Sequence, residues 1–203
     1  MGTADDRMLI ESAVPTFDAM IVEHAVVYAD RATTFEAARN VDFLTVRTPL
    51  LTAAFWVRDL PSRLSGGAAP DRPEVVLSEG IGVPGWLLLG EREGQEIAFG
   101  AVGKFWRPTI VWRDVPREEF AGFSEPGWGK MAANFSVQSY GNDATLLSYQ
   151  CRTVTTDLAS RRRFLRYWQL VRPLARHVLR ATLRTIQLNA EAAAVRPPEP
   201  EGE

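Results

Sequence analysis

The chain holds a single cysteine, Cys151, and only two histidines, His24 and His177. One cysteine excludes an intrachain disulfide and any cysteine-based metal cluster, and it suits a reducing cytosol. The histidines lie far apart, with no short-spaced His, Asp, Glu or Cys cluster beside them, so no metal is expected. No other cofactor has a signature either. Gly80-Ile81-Gly82 lacks the third glycine of a dinucleotide fingerprint. There is no GxSxG elbow, and Cys151 has no evident catalytic partner, so nucleophilic catalysis is not indicated. Apolar runs of about 18 residues are absent, which excludes integral membrane insertion by a helix. The opening residues lack the basic and apolar regions of a signal peptide, and the expected location is cytoplasmic. No internal repeat is visible.

What the chain does have is a long amphipathic stretch near its end. Ser160–Glu191 carries eight arginines and one acid, Glu191, in a protein whose net charge is only −2. Ser160 reads as the helix N-cap, and Pro173 interrupts the run. Beyond Pro173, Leu174, Ala175, Val178, Leu179, Thr182, Leu183, Ile186 and Ala190 share one side at helical spacing. Arg176, His177, Arg180, Arg184 and Gln187 share the other. A wide apolar face of this kind must lie on something large and apolar. Proline removes a backbone donor and crowds the previous turn, so a break or kink is expected at Arg172-Pro173.

The partner for that face is a sheet, because most of the preceding chain reads as strands. Residues 1–17 lack periodicity and read as a flexible segment. Residues 18–193 form the domain, and 194–203 read as a disordered tail. Met20–Tyr28 is a β-branched run. Asp30 caps a short helix ending near Asn40, and a second short helix is expected over Thr48–Leu60, with Pro49 in its first turn. Ser65–Pro73 is a loop by composition. Trp86–Glu91 and Glu96–Gly103 flank a hairpin turn. Thr109–Trp112, Phe120–Ser124, Gly129–Tyr140 and Ala144–Thr156 complete the strands, the last two joined by Gly141-Asn142-Asp143. This order is α+β with an antiparallel sheet.

Three stretches in this order carry a family resemblance. They are HAVVYADRATTFEAARNVD, EIAFGAVGKFWRP and LLSYQCRTVTTDLASRRRFLRYWQLVRP. From Met20 to Glu191 the chain resembles the SRPBCC superfamily, the START-like or helix-grip proteins. It departs from that pattern in having Asp30-Arg31 where a proline usually follows the first strand. The resemblance implies a curved antiparallel sheet gripping the C-terminal helix, with an apolar cavity between them. The superfamily includes lipid carriers, polyketide cyclases and oxygenase subunits, so fold alone does not choose a chemistry.

The expected pocket residues are Phe99, Phe105, Trp106, Phe135, Tyr149, Leu179, Leu183 and Ile186, binding a small lipid, polyketide or aromatic molecule. Alternation places Ile97, Phe99 and Ala101 on one face, and Met131, Ala133, Phe135 and Val137 on one face. Leu147, Tyr149, Cys151 and Thr153 are the inward choice on the last strand; the other parity would turn Gln150 and Arg152 inward. On the first strand, either Ile21, Glu23, Ala25 and Val27 or Val22, His24, Val26 and Tyr28 face inward. An inward Glu23 or His24, with Tyr149 or Arg152, would supply the acid–base pair of a cyclase- or aromatase-like enzyme. His177 is expected to be exposed. Arg176, Arg180 and Arg184 would meet an anionic surface or an acidic partner. Nucleic acid is not an expected partner, since no stacking aromatics interleave with them.

Overall fold

The computed structural model describes residues 7–41 and 85–195. The elements in chain order are α1 (Leu9–Ala13), β1 (Ala19–Val27), α2 (Arg31–Arg39), β2 (Trp86–Arg92), β3 (Glu96–Lys104) and β4 (Val111–Arg113), then α3 (Arg117–Phe120), β5 (Gly129–Tyr140), β6 (Ala144–Thr155) and α4 (Leu158–Val195). The strands form one antiparallel sheet in the order β1-β6-β5-β3-β2, with β4 also paired to β3. The sheet curves round α4, so the architecture is α+β of the helix-grip kind. The helix expected over Thr48–Leu60, the loop Ser65–Pro73 and Gly80-Ile81-Gly82 lie outside the described residues.

Local sequence accounts for most of the element ends. The Asp30 side chain accepts the Thr33 backbone N–H at 2.9 Å and starts α2. Gly141 turns β5 into β6 with φ +67, a conformation that glycine adopts without steric cost. The cap of α4 is Asp157, three residues before the expected Ser160. Its carboxylate accepts from the Ser160 N–H at 2.9 Å and the Ser160 hydroxyl at 2.8 Å, and also from the Gly127 N–H at 2.6 Å. Ser160 is therefore the third helical residue, buried beneath the cap. These hydrogen bonds, led by the Ser160 N–H, hold the Asp157 carboxyl well below its ordinary range, at about 2.

Two expectations need correction. First, of the break or kink expected at Pro173, the break is absent: α4 runs from Leu158 to Val195 with the proline inside. The carbonyl that loses its partner belongs to Gln169, and Gln169, Leu170, Arg172 and Pro173 are all exposed. Water can take the freed acceptor, which removes the main reason for a helix to stop there. Second, Phe120 does not begin a strand. It closes the short helix α3, is almost fully buried, and packs where a Cβ on Gly100 would approach its ring to 2.8 Å. Within residues 1–17, Leu9–Ala13 form α1 on the outer face of the sheet.

That outer face carries its own core. Ile10, Ala13 and Val14 pack with Val102, Phe120, Trp128 and Ala132. The buried Glu96 carboxylate fixes α1, accepting from the backbone of Leu9 at 2.7 Å and Ile10 at 3.2 Å, and from the Asn134 amide at 2.7 Å. Lys130 donates to the carbonyls of Phe120 at 3.2 Å and Ala121 at 2.6 Å, and burial lowers its pKa. Buried polar groups on this face are thus tied to backbone ends that would otherwise lack partners.

Candidate functional site

The inner face of the sheet is set by strand register. Glu23, Tyr149, Phe135 and Ile97 lie in one cross-strand row, and Ile21, Cys151, Ala133 and Phe99 in the next. Ile21 and Val27 are buried and Glu23 turns inward, while His24 points out and meets the Ser148 hydroxyl at 2.8 Å. The inward set on β6 is Leu147, Tyr149, Cys151 and Thr153. Arg152 faces the other way, towards the Val14 carbonyl at 3.2 Å and Glu11 at 3.5 Å.

Six of the eight nominated residues meet in one apolar cluster. Phe99, Phe135 and Tyr149 come from the sheet, and Leu179, Leu183 and Ile186 from α4. The Phe135 and Tyr149 rings are 4.4 Å apart, and Phe99 lies 5.8 Å from Phe135 and 6.3 Å from Tyr149. Phe105 and Trp106 lie past the end of β3, outside this cluster. Phe105 meets Trp112 edge-on at 5.9 Å, and a Cβ on Gly103 would approach its ring to 2.9 Å. Trp112 and Trp86 (6.2 Å) and Trp86 and Phe99 (5.7 Å) connect the two groups, so a continuous file of rings crosses the inner face.

Burial along α4 divides this face into a closed end and an open one. On the sheet-facing side, Ser160 and Phe164 are buried, and Leu179, Thr182, Leu183, Ile186 and Ala190 are buried. Between Phe164 and Leu179 no residue is buried: Trp168 and Ala175 are half-buried, and Arg172, at the same helical angle as the buried Ala190, is exposed. The sheet beneath answers with half-buried apolar groups, Trp86, Leu88, Trp112, Met131 and Cys151. Apolar side chains that point towards a helix yet keep solvent access mark surface that the described residues do not fully cover.

The polar groups on this face are few and uncharged near neutral pH, apart from Glu23. Burial pushes the Tyr149 hydroxyl pKa up, and it pushes the Cys151 thiol up to about 12. The Tyr149 hydroxyl has no hydrogen-bond partner among the described residues. Glu23, with a side chain only 12% exposed, bridges two arginines of α4, Arg176 at 2.7 Å and Arg180 at 2.8 Å. Beside this pair an open cleft of about 540 Å³ runs along the helix, lined by Arg172, Pro173, Arg176, His177 and Arg180. His177, expected to be exposed, is half-buried there. Arg184 turns instead to Gln187 at 3.2 Å. Among the described residues, no group of three or more His, Cys, Asp or Glu could hold a metal, and no helix is long and apolar enough to cross a membrane.

The Glu23 bridge was not foreseen, although a signal existed. A single acid in the apolar run Met20–Tyr28, opposite arginines at four-residue spacing, is the pattern of a strand-to-helix ion pair.

No family model matches the chain, and no curated protein sequence matches it. Several solved structures are similar in outline. A hypothetical protein from Helicobacter pylori has 10% identity and a TM-score of 0.40, covering 96% of this chain and 99% of that one. Mll3558 from Rhizobium loti has 14% identity and a TM-score of 0.36, covering 82% and 96%. CalU16 from Micromonospora echinospora has 13% identity and a TM-score of 0.29, covering 85% and 84%. Similarity at this level carries nothing about activity.

Proposed function

We propose that this chain is a helix-grip protein of the SRPBCC type that binds and carries a small hydrophobic molecule between sheet and helix. The observation that carries this reading is the open end of the inner face. Trp86, Leu88, Met131 and Cys151 on the sheet, with Trp168 on α4, present an apolar, partly aromatic surface that the described residues leave half-buried. Covering such surface releases about 25 cal/mol for each Å² removed from water, so a lipid, polyketide or aromatic molecule gains most from the site.

The rival reading is a cyclase-like enzyme in the same space. Its candidate base is Glu23, which faces inward, but both carboxylate oxygens are engaged by arginines. That arrangement favours carriage over proton transfer, because neither carboxylate oxygen is left free to meet a substrate proton. Native mass spectrometry of protein purified from its own cells tests the proposal. A co-purifying apolar molecule of defined mass, released on unfolding, is the expected result. Protein that arrives empty and binds no apolar compound would refute it.

A further inference from the structure

We infer that the arginine cleft on α4 is an anion subsite, so that the ligand is an amphiphile with a negatively charged end, of carboxylate or phosphate type. The inference rests on the reading of the inner face as an apolar pocket. Arg172, Arg176 and Arg180 follow one another at four-residue spacing, which stacks them in a row on one flank of the helix. Among the described residues only one carboxylate answers them. Glu23 gives one oxygen to the Nε of Arg176 and the other to the Nε of Arg180, and Arg172 pairs with no acid among the described residues. Among the described residues, three guanidinium groups against one carboxylate leave the open cleft net positive. Planar guanidinium forks suit carboxylate and phosphate oxygens, and charge-assisted hydrogen bonds are the stronger kind.

The position of Glu23 connects the cleft to the apolar face. Its carboxylate is in the cleft's arginine pair, while its cross-strand neighbour is Tyr149 in the ring cluster. An amphiphile whose charged end sits by Arg172 can therefore lay its apolar part along the uncovered inner face. Glu23 is also the built-in competitor of such a ligand, because it holds the same two guanidinium groups. Removing its charge should strengthen anion binding, the opposite of what loss of a ligand-binding residue would do.

Decanoate and decanol, one alkyl chain with and without a negative charge, test this by calorimetric titration of the full chain near neutral pH. The wild type should bind decanoate about tenfold more tightly than decanol. Arg172→Gln, at an exposed position without an ion pair, should weaken decanoate about three- to tenfold and leave decanol unchanged. Glu23→Gln should strengthen decanoate and leave decanol unchanged. Inorganic phosphate should compete with decanoate and not displace decanol, which separates a free anion from a lipid head group as the source of the contact. Equal affinity for the two compounds, or no effect of Arg172→Gln on decanoate, would overturn the subsite and leave the pocket standing. Failure of both compounds to bind would remove the pocket and the subsite together. If Arg172→Gln spared decanoate but abolished co-sedimentation with phosphatidylcholine vesicles containing phosphatidylglycerol, the cleft would be a membrane contact and the inference would be wrong.

Discussion

Asp157 and Glu96 show how single carboxylates hold helices to this sheet. The carboxyl of Asp157 is depressed from 3.8 to about 2 by hydrogen bonds that exist only in the folded chain. A carboxyl depressed in this way stabilises the fold above its unfolded pKa, and that contribution disappears as pH falls through the folded value. Asp157→Asn keeps a capping side chain but loses the charge. The urea midpoint of the wild type should therefore exceed that of the variant near neutrality, and the difference should shrink between about pH 4 and pH 2. Glu96 is buried with three donors on its oxygens. Glu96→Ala strands the Leu9 and Ile10 N–H groups and the Asn134 amide, and should cost about 2–4 kcal/mol by urea titration. Hydrogen exchange should also show the α1 amides losing protection, whereas Glu96→Gln, which keeps an acceptor, should lose less. The role of Glu96 was not legible in the sequence, because a buried acid looks like a solvated one until its long-range partners are known. The inward parity of β6 was legible from the alternation Leu147, Tyr149, Cys151, whereas on β1 the Glu23/His24 choice stayed open because both parities are largely apolar.

Strands with clean alternation and a marked turn were readable nearly to the residue. Gly129–Tyr140 was expected and found, and β6 ends one residue before the expected Thr156. The short helices were not. A helix of one turn, such as Arg117–Phe120, has no room to display a period, so the aromatic run near Phe120 imitated a strand. In α4 the proline was given too much weight. Its cost is set by where the freed carbonyl points, and Gln169 is exposed. Pro173→Ala should restore the hydrogen bond and raise stability by about 1–2 kcal/mol, less than the full helix-interior penalty of about 3 kcal/mol, because water already serves that carbonyl. Denaturant titration with an unchanged slope would register the gain; a loss of stability would contradict this account of the helix.

At the scale of the molecule, the sheet has a core on each face, and among the described residues the inner one includes half-buried rings facing α4. Its closed end is built from Phe99, Phe135, Tyr149, Leu183 and Ile186, all buried. Phe135 and Leu183, expected pocket residues, are both buried at this end. Met131, half-buried on the same face and paired across the sheet with Ala101 and Thr153, borders the open end instead. The general plan of helix on sheet was legible because the two faces of Pro173–Glu191 separate so cleanly. The place where the helix leaves the sheet uncovered was not, since it depends on curvature that no local pattern records. The measurement that tests the central claim most directly is decanol binding to the wild type and to Met131→Trp, each checked for its unfolding midpoint. The account predicts saturable binding by the wild type and loss of at least about tenfold in affinity, some 1.4 kcal/mol, in the variant, with the fold intact. A wild type that does not bind decanol, or a folded Met131→Trp that binds it equally well, would contradict the account.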